Sequence, residues 1–251
     1  MALISLQNVC KAFGGKVVLR DLTLDVQRGE SVVIVGGSGT GKSVMLKHMI
    51  GLVKPDRGSV IIDGEDLTTM KEYELNKFRR RFGMAFQEGA LFDSMSVFDN
   101  IAFPLRRNTK MKEAEVRARV EECLEDVHLP GVEKKRPSEL SGGMRRRVGF
   151  ARAIAMKPEI LLFDEPTTGL DPVISAVVAE LICEMDDKFG TTNVTITHDM
   201  KVAFQIADRV AMLHDGRIIE QGTPEQFQAS SNPIVRQFIE GRAVGPLTAD
   251  Q

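Results

Sequence analysis

An apolar run, Ser31-Val32-Val33-Ile34-Val35, meets the stretch Gly36-Gly37-Ser38-Gly39-Thr40-Gly41-Lys42-Ser43, and an apolar-periodic segment, Val44-Met45-Leu46-Lys47-His48-Met49-Ile50, follows at once. Nothing else in the chain restricts the fold as severely. A buried strand that passes through a glycine loop into a helix is the setting in which such a loop cradles phosphate. Glycines let the backbone curl until successive N–H groups point inward, and the helix N-terminus adds its positive end. Lys42 supplies a mobile charge for the terminal phosphates, and the Ser43 hydroxyl is suited to hold Mg²⁺. The loop alone does not say what the phosphate energy drives.

Composition narrows the class. The 251 residues are 43% hydrophobic and 27% charged, enough for one large or two small domains with a core of their own. The net charge of −2 gives no global basic field for nucleic acid. Local clusters exist at Lys77 with Arg79, Arg80 and Arg81, at Lys134, Lys135 and Arg136, and at Arg145, Arg146 and Arg147; most such clusters are expected to be solvated faces. Cys10, Cys123 and Cys183 form no C-x-x-C pair and are expected to be packing residues in a reducing compartment. No segment reads as a signal peptide, and no apolar stretch approaches the roughly 20 residues that cross a bilayer. A cytoplasmic chain, linked to a membrane only through a partner, is the expectation.

Along the chain, Ile4 to Val9 and Leu22 to Val26 alternate as half-buried antiparallel strands, with Phe13-Gly14-Gly15 as the turn between them. Phe13 on that loop either stacks on a flat base or anchors the turn. Gly58 to Asp63 reads as a strand turned at Asp63-Gly64, and Phe82 to Phe86 as a strand that delivers Gln87, either a Mg²⁺ ligand or a loop hydrogen-bonder. Residues 90–105 carry more large apolar side chains than one short helix hides, so they form an exposed groove for a partner or the core of a small helical subdomain. Lys112 to Val127 has the helical period, with Val116, Val120, Cys123, Leu124 and Val127 on one side.

Leu140-Ser141-Gly142-Gly143-Met144 introduces a helix from about Arg145 to Ala155, a second terminus fit for an anion. The apolar strand Ile160-Leu161-Leu162-Phe163 then ends in Asp164-Glu165. Paired carboxylates at the end of a buried strand need a metal, a water or a cation, and as neighbours on a strand they would face opposite ways. Asp171, before Pro172 and a helix from Val173 to Lys188, is an N-cap whatever else it does. Asn193 to Thr197 is a further core strand that delivers His198. A hairpin turned at Asp215-Gly216, a capping box at Thr223-Pro224-Glu225-Gln226, a helix from Asn232-Pro233 to about Glu240, and a loosely ordered tail from Gly241 complete the chain.

Taken in order and spacing, the glycine loop, Gln87, Leu-Ser-Gly-Gly, Ile160 to Glu165, Asp171 and His198 resemble an ATP-binding cassette ATPase. The resemblance implies an α/β fold: a RecA-like P-loop NTPase core, an N-terminal antiparallel β-subdomain and an inserted helical subdomain at 88–155. It covers 1–222 as one cassette and leaves 223–251 as a short helical extension and tail. Phe13 matches the aromatic that stacks on adenine, and Gly36, Gly37, Ser38, Gly39, Thr40, Gly41, Lys42 and Ser43 match the nucleotide binders. Ser43, Gln87 and Asp164 match the Mg²⁺ shell, Glu165 the general base and His198 the switch histidine. Lys42 and Gln87 join Glu165 and His198 in the catalytic set. Ser141, Gly142, Gly143 and Asp171 match residues that act across a dimer of two copies on ATP held by the other chain. Met144 departs from the common glutamine, and Phe13 from the frequent tyrosine.

A narrower likeness rests on residues 90–105, Met144 and Pro233-Ile234-Val235-Arg236-Gln237-Phe238-Ile239-Glu240-Gly241. These are similar to the ATPase subunit of the Mla type, which energises phospholipid movement between the two membranes of Gram-negative bacteria. That likeness implies a membrane permease, a periplasmic MCE lipid-binding protein and a STAS-domain subunit as partners, a place on the cytoplasmic face of the inner membrane, and no nucleic acid. A soluble ABC ATPase of cofactor assembly shares every catalytic motif and is the alternative.

Overall fold

The structure, a computed structural model, describes residues 2–87 and 89–248, so Glu88 and the last three residues of the expected tail lie outside the described residues. Strands β1 (Ile4–Phe13) and β2 (Lys16–Val26) lead into β3 (Ser31–Val35), helix α1 (Lys42–Met49), β4 (Arg57–Ile62) and β5 (Glu65–Asp66). Helix α2 (Glu72–Phe78) precedes β6 (Phe82–Ala85), α3 (Val97–Asn108), α4 (Glu113–Asp126) and α5 (Gly142–Ile154). Next come β7 (Ile160–Asp164), α6 (Pro172–Phe189), β8 (Thr192–Thr197) and α7 (Met200–Ile206). The hairpin β9 (Arg209–His214) and β10 (Arg217–Gly222) is followed by α8 (Pro224–Gln228) and α9 (Pro233–Glu240). Two compact units divide the chain, residues 1–71 with 196–251 and residues 72–195, and the boundary falls within β8.

In the first unit an antiparallel sheet runs β2-β1-β4-β5. Leu19, Leu22, Leu24 and Val26 of β2 are buried while Arg20, Thr23 and Asp25 face out, the alternation of a one-sided sheet. On β1 a bulge at Asn8, with φ of 50°, moves the buried series from Ile4 and Leu6 to Val9. The first hairpin is longer than the apolar pattern predicts. Gly14 and Gly15 both take positive φ, so the strands pair up to the turn and Phe13 sits opposite Lys16 as the last residue of β1 rather than on a loop. Asp63-Gly64 and Asp215-Gly216 turn their hairpins in the same way. Strand β3, wholly buried, pairs in parallel with β9, and β10 adds antiparallel to β9.

The second unit pairs β6 with β7 in parallel, with β8 on the other side of β7. Helices α3, α4 and α5 pack on one another, α4 through the five apolar residues predicted for it. Phe150 of α5 meets Phe163 of β7 edge-on, their ring centres 5.2 Å apart. Helix α5 begins at Gly142, a turn earlier than expected, because the Ser141 hydroxyl accepts the Met144 N–H at 3.3 Å and caps it there.

The basic run 145–147 is only partly a solvated face: Arg145 is exposed and Arg147 half-buried, but Arg146 is only 7% exposed. One further expectation fails. The segment after Gly241 is held rather than loose as far as Thr248. Buried Gln237 accepts the Leu247 N–H at 2.7 Å and donates to the Arg242 carbonyl at 3.1 Å and the Thr248 hydroxyl at 3.3 Å. Cys10 also does more than pack: its sulfur accepts from the Asp21 N–H at 3.2 Å and from Arg57 at 3.4 Å.

Candidate functional site

The glycine loop leaves β3 and enters α1 with a geometry that side chains would forbid. Gly36 has φ of 153°, and a Cβ there would run into the Leu213 carbonyl of β9. Gly41, at φ of 105°, caps α1; a Cβ on it would lie 3.0 Å from side-chain carbons of Val18 and Leu19. No side chain caps this helix, so its first N–H groups face the loop and the positive end of the helix dipole is uncovered. Lys42 is 7% exposed and arches over the loop, donating to the carbonyls of Gly36 at 2.8 Å and Gly37 at 3.0 Å. Thr40 closes the turn with a 3.0 Å bond to the Gly37 carbonyl, while Ser38 and Gly39 are exposed and Ser43 is half-buried in the first turn of α1. A glycine loop that holds an ammonium at a helix N-terminus has the make-up of a phosphate-binding loop.

Phe13 belongs to the same unit. It is 47% exposed, which removes the buried-anchor reading, and the Lys11 ammonium sits 5.3 Å from its ring centre while pairing with Asp56 at 2.6 Å. His198 is exposed in the bend that leaves β8. Asp199 fixes that bend: its N–H donates to the Thr197 hydroxyl at 3.1 Å, and its carboxylate caps α7 by accepting the Lys201 N–H at 2.9 Å. Helix α7 packs on β3, the strand that feeds the glycine loop.

The second unit gathers the other predicted residues. Register pairs Ala85 of β6 with Phe163 of β7, so Gln87 and the Asp164-Glu165 pair leave adjacent strands at the same end. Adjacent strands lie about 4.8 Å apart. The Gln87 side chain is on an exposed residue, and Asp164 and Glu165 are half-buried. Glu165 is not a strand residue; its φ of 51° puts it in the left-handed region, so strand alternation does not set its direction. Instead its carboxylate accepts the Thr168 hydroxyl at 2.8 Å. Sequence pattern gave no sign of Thr168 or of Arg146, whose buried guanidinium donates to the Gln87 carbonyl at 2.7 Å and to the Thr168 carbonyl.

Ser141 and Asp171 are both exposed N-caps, of α5 and α6. The Asp171 carboxylate accepts the N–H groups of Val173 and Ile174, each at 3.0 Å. A Cβ on Gly143 would lie 2.7 Å from Ile174, so the two helix starts touch and Ser141, Gly142, Gly143 and Asp171 share one patch. Beyond Gln87, the apolar stretch divides its duties. Val97, Ile101, Ala102 and Leu105 are buried, and Asn100 ties down the preceding turn through Phe92 and Ser96. On the other side Met95, Asp99, Phe103, Arg106 and Arg107 line an open hollow of about 390 Å³, beside the exposed Phe92 ring. Among the described residues no helix is long and apolar enough to cross a membrane.

Residues 19–168 match the ABC transporter family model. The chain is 46% identical to the probable ribonucleotide transport ATP-binding protein mkl of Mycobacterium leprae, over 97% of this chain and 70% of that protein. It is 40% identical to the intermembrane phospholipid transport system ATP-binding protein MlaF of Escherichia coli, over 98% of this chain and 91% of that one. Among solved structures, the dimeric cassette MJ0796 in a post-hydrolysis state with ADP and Pi superposes with a TM-score of 0.81 at 34% identity, covering 88% of this chain and 98% of that one. The cbiO1 subunit of Clostridium perfringens gives 0.84 at 29% identity, over 96% of each. With the glycine loop, the carboxylate pair and the Ser141 terminus in a fold that superposes on such cassettes, the chain belongs to the ABC transporter family, as an MlaF-like ATPase.

Proposed function

We propose that two copies of this chain hydrolyse ATP at shared sites and drive phospholipid movement through a membrane permease. The observation that carries the shared site is the patch of Ser141, Gly142, Gly143 and Asp171, a helix start at which Ser141, Gly142 and Asp171 are exposed and whose positive end suits a γ-phosphate on a second copy. In this reading Phe13 stacks on adenine, and Gly36 to Ser43 wrap the phosphates with Lys42 against the terminal one. Glu165 orients the attacking water and takes its proton, and His198 bears on the γ-phosphoryl group. Ser43, Gln87 and Asp164 are hard oxygen donors of the kind Mg²⁺ takes, and the ion would neutralise charge on the β- and γ-phosphates. Closing two copies over the nucleotide excludes water; losing phosphate reopens them.

The hollow around Met95, Phe103 and Arg106 is largely apolar, with Asp99, Arg106 and Arg107 at its rim and Arg106 paired to Asp99 and Glu113, and it lies just after Gln87 in the chain. It is the surface we assign to the permease, so that movement at the nucleotide reaches the membrane from the cytoplasmic face of the inner membrane. Phospholipid is preferred to ribonucleotide as cargo because the match extends over 91% of MlaF but over 70% of mkl. A periplasmic MCE protein and a STAS-domain subunit would complete the assembly.

Glu165→Gln tests the chemistry. ATP binding should persist, turnover should fall on the order of a thousandfold, and closed dimers should accumulate; parental turnover would remove Glu165 as the base. Purification with the permease from solubilised membranes should bring phospholipid with it, and an assembly without phospholipid would contradict the cargo.

A further inference from the structure

Helix α5 is fastened to the Gln87 turn and to the Glu165 turn at once. Arg146, buried at 7% exposure, sends Nε to the Gln87 carbonyl at 2.7 Å and Nη2 to the Thr168 carbonyl. The Thr168 hydroxyl in turn donates to Glu165 Oε2 at 2.8 Å. One turn and a half along the same helix, Arg152 donates to the carbonyls of Gly89 at 2.7 Å and Ala90 at 2.8 Å. Glycines remove the remaining slack: a Cβ on Gly149 would lie 2.9 Å from the Gly89 Cα, and one on Gly89 would lie 2.7 Å from the Arg145 carbonyl.

A guanidinium withdrawn from water is costly. What it provides is geometry. The planar fork holds two acceptors at a set separation, which a lysine on a flexible stem cannot do. Here the two acceptors belong to the turn that carries Gln87 and the turn that carries Glu165.

We propose that Arg146 is a positioning residue for ATP hydrolysis, holding Gln87 and, through Thr168, Glu165 in one frame with the Ser141 end of α5. The proposal rests on the ATPase reading above and deepens it. A phosphate captured at Ser141 then shifts the metal-side glutamine and the base together, so engagement of a second copy is registered at the reacting centre of the chain that supplied Ser141. Arg146 acts through the turns it holds.

The test uses the full-length chain and follows kcat and KM separately, with binding of a fluorescent ATP analogue and thermal melting alongside. Arg146→Lys should lower kcat on the order of 10- to 100-fold while KM and analogue binding stay within about twofold, the pattern of misplaced catalytic groups. Thr168→Val should lose a similar factor, and Thr168→Ser, which keeps the hydroxyl, should recover it. The double variant Arg146→Lys with Thr168→Val should be no slower than the slower single one, since both lesions break one chain of bonds. Parental kcat in Arg146→Lys, or losses that multiply in the double variant, would overturn the proposal. If Arg146→Lys fails to fold, the Thr168 pair decides, equal rates for Val and Ser overturning it. A parent chain without turnover contradicts the ATPase reading itself, which a slow or fast variant of an active parent does not.

Discussion

His48 shows how a single side chain near the glycine loop makes the fold sensitive to pH. It is 1% exposed on α1, with Nδ1 2.7 Å from the Val44 carbonyl and Nε2 buried without a hydrogen-bond partner. The carbonyl assigns the proton to Nδ1; a second proton on Nε2 would place a charge in apolar surroundings. Burial therefore holds the imidazole below its ordinary value of 6.5, with Lys11 pushing the same way and hydrogen bonding to Val44 and the Asp56 charge opposing. A depressed folded pKa gives stability that is complete above the unfolded value and is lost as pH falls through it toward the folded one. Melting temperature should thus drop as pH falls below about 6.5, and His48→Leu should flatten that segment. An equally steep profile in the variant would contradict this. Asp99, whose carboxyl is held low by the Ser96 hydroxyl and Arg106, acts in a separate window below about pH 4.

At the scale of elements, arginines close helix ends and turns that sequence leaves open. Arg119 of α4, buried, donates to the Ala155 carbonyl at 3.0 Å and the Ile154 carbonyl at 2.7 Å, capping the C-terminus of α5 with charge and hydrogen bonds together. Arg119→Met leaves those carbonyls unsatisfied and should cost about 2–3 kcal/mol, read as a lower urea midpoint at constant slope. A midpoint unchanged from the parent would show that water caps the helix as well. Gln237→Ala should likewise free the segment after Gly241, measured as faster proteolysis there with the rest of the chain intact. Local caps were legible in advance: Asp171 before Pro172, Thr223 with Gln226, and Asn232 before Pro233 all act within three residues. Arg119, Arg146 and Gln237 were not, because the groups they bond to lie 35, 59 and 10 residues away and meet them only after packing. The same limit hid the true end of β1, where Gly14 and Gly15 extend pairing past the apolar alternation.

At the scale of the whole molecule, the sequence order of glycine loop, Gln87, Ser141, Asp164-Glu165 and His198 was enough to find the family, because each motif marks a strand end or helix start and so survives as a local signal. The division into two units was not visible, since its boundary falls inside β8, an unbroken buried strand. The central claim is that the nucleotide on Lys42 of one chain is completed by Ser141 of another. Lys42→Met and Ser141→Arg, coexpressed, test it most directly. In a mixed pair one composite site carries both lesions and the other carries none. Each variant alone should sit at background, while random pairing should restore ATP hydrolysis to roughly a quarter of the parental rate, half the pairs being mixed with one intact site of two. A coexpressed mixture as inactive as its two components would contradict the shared site.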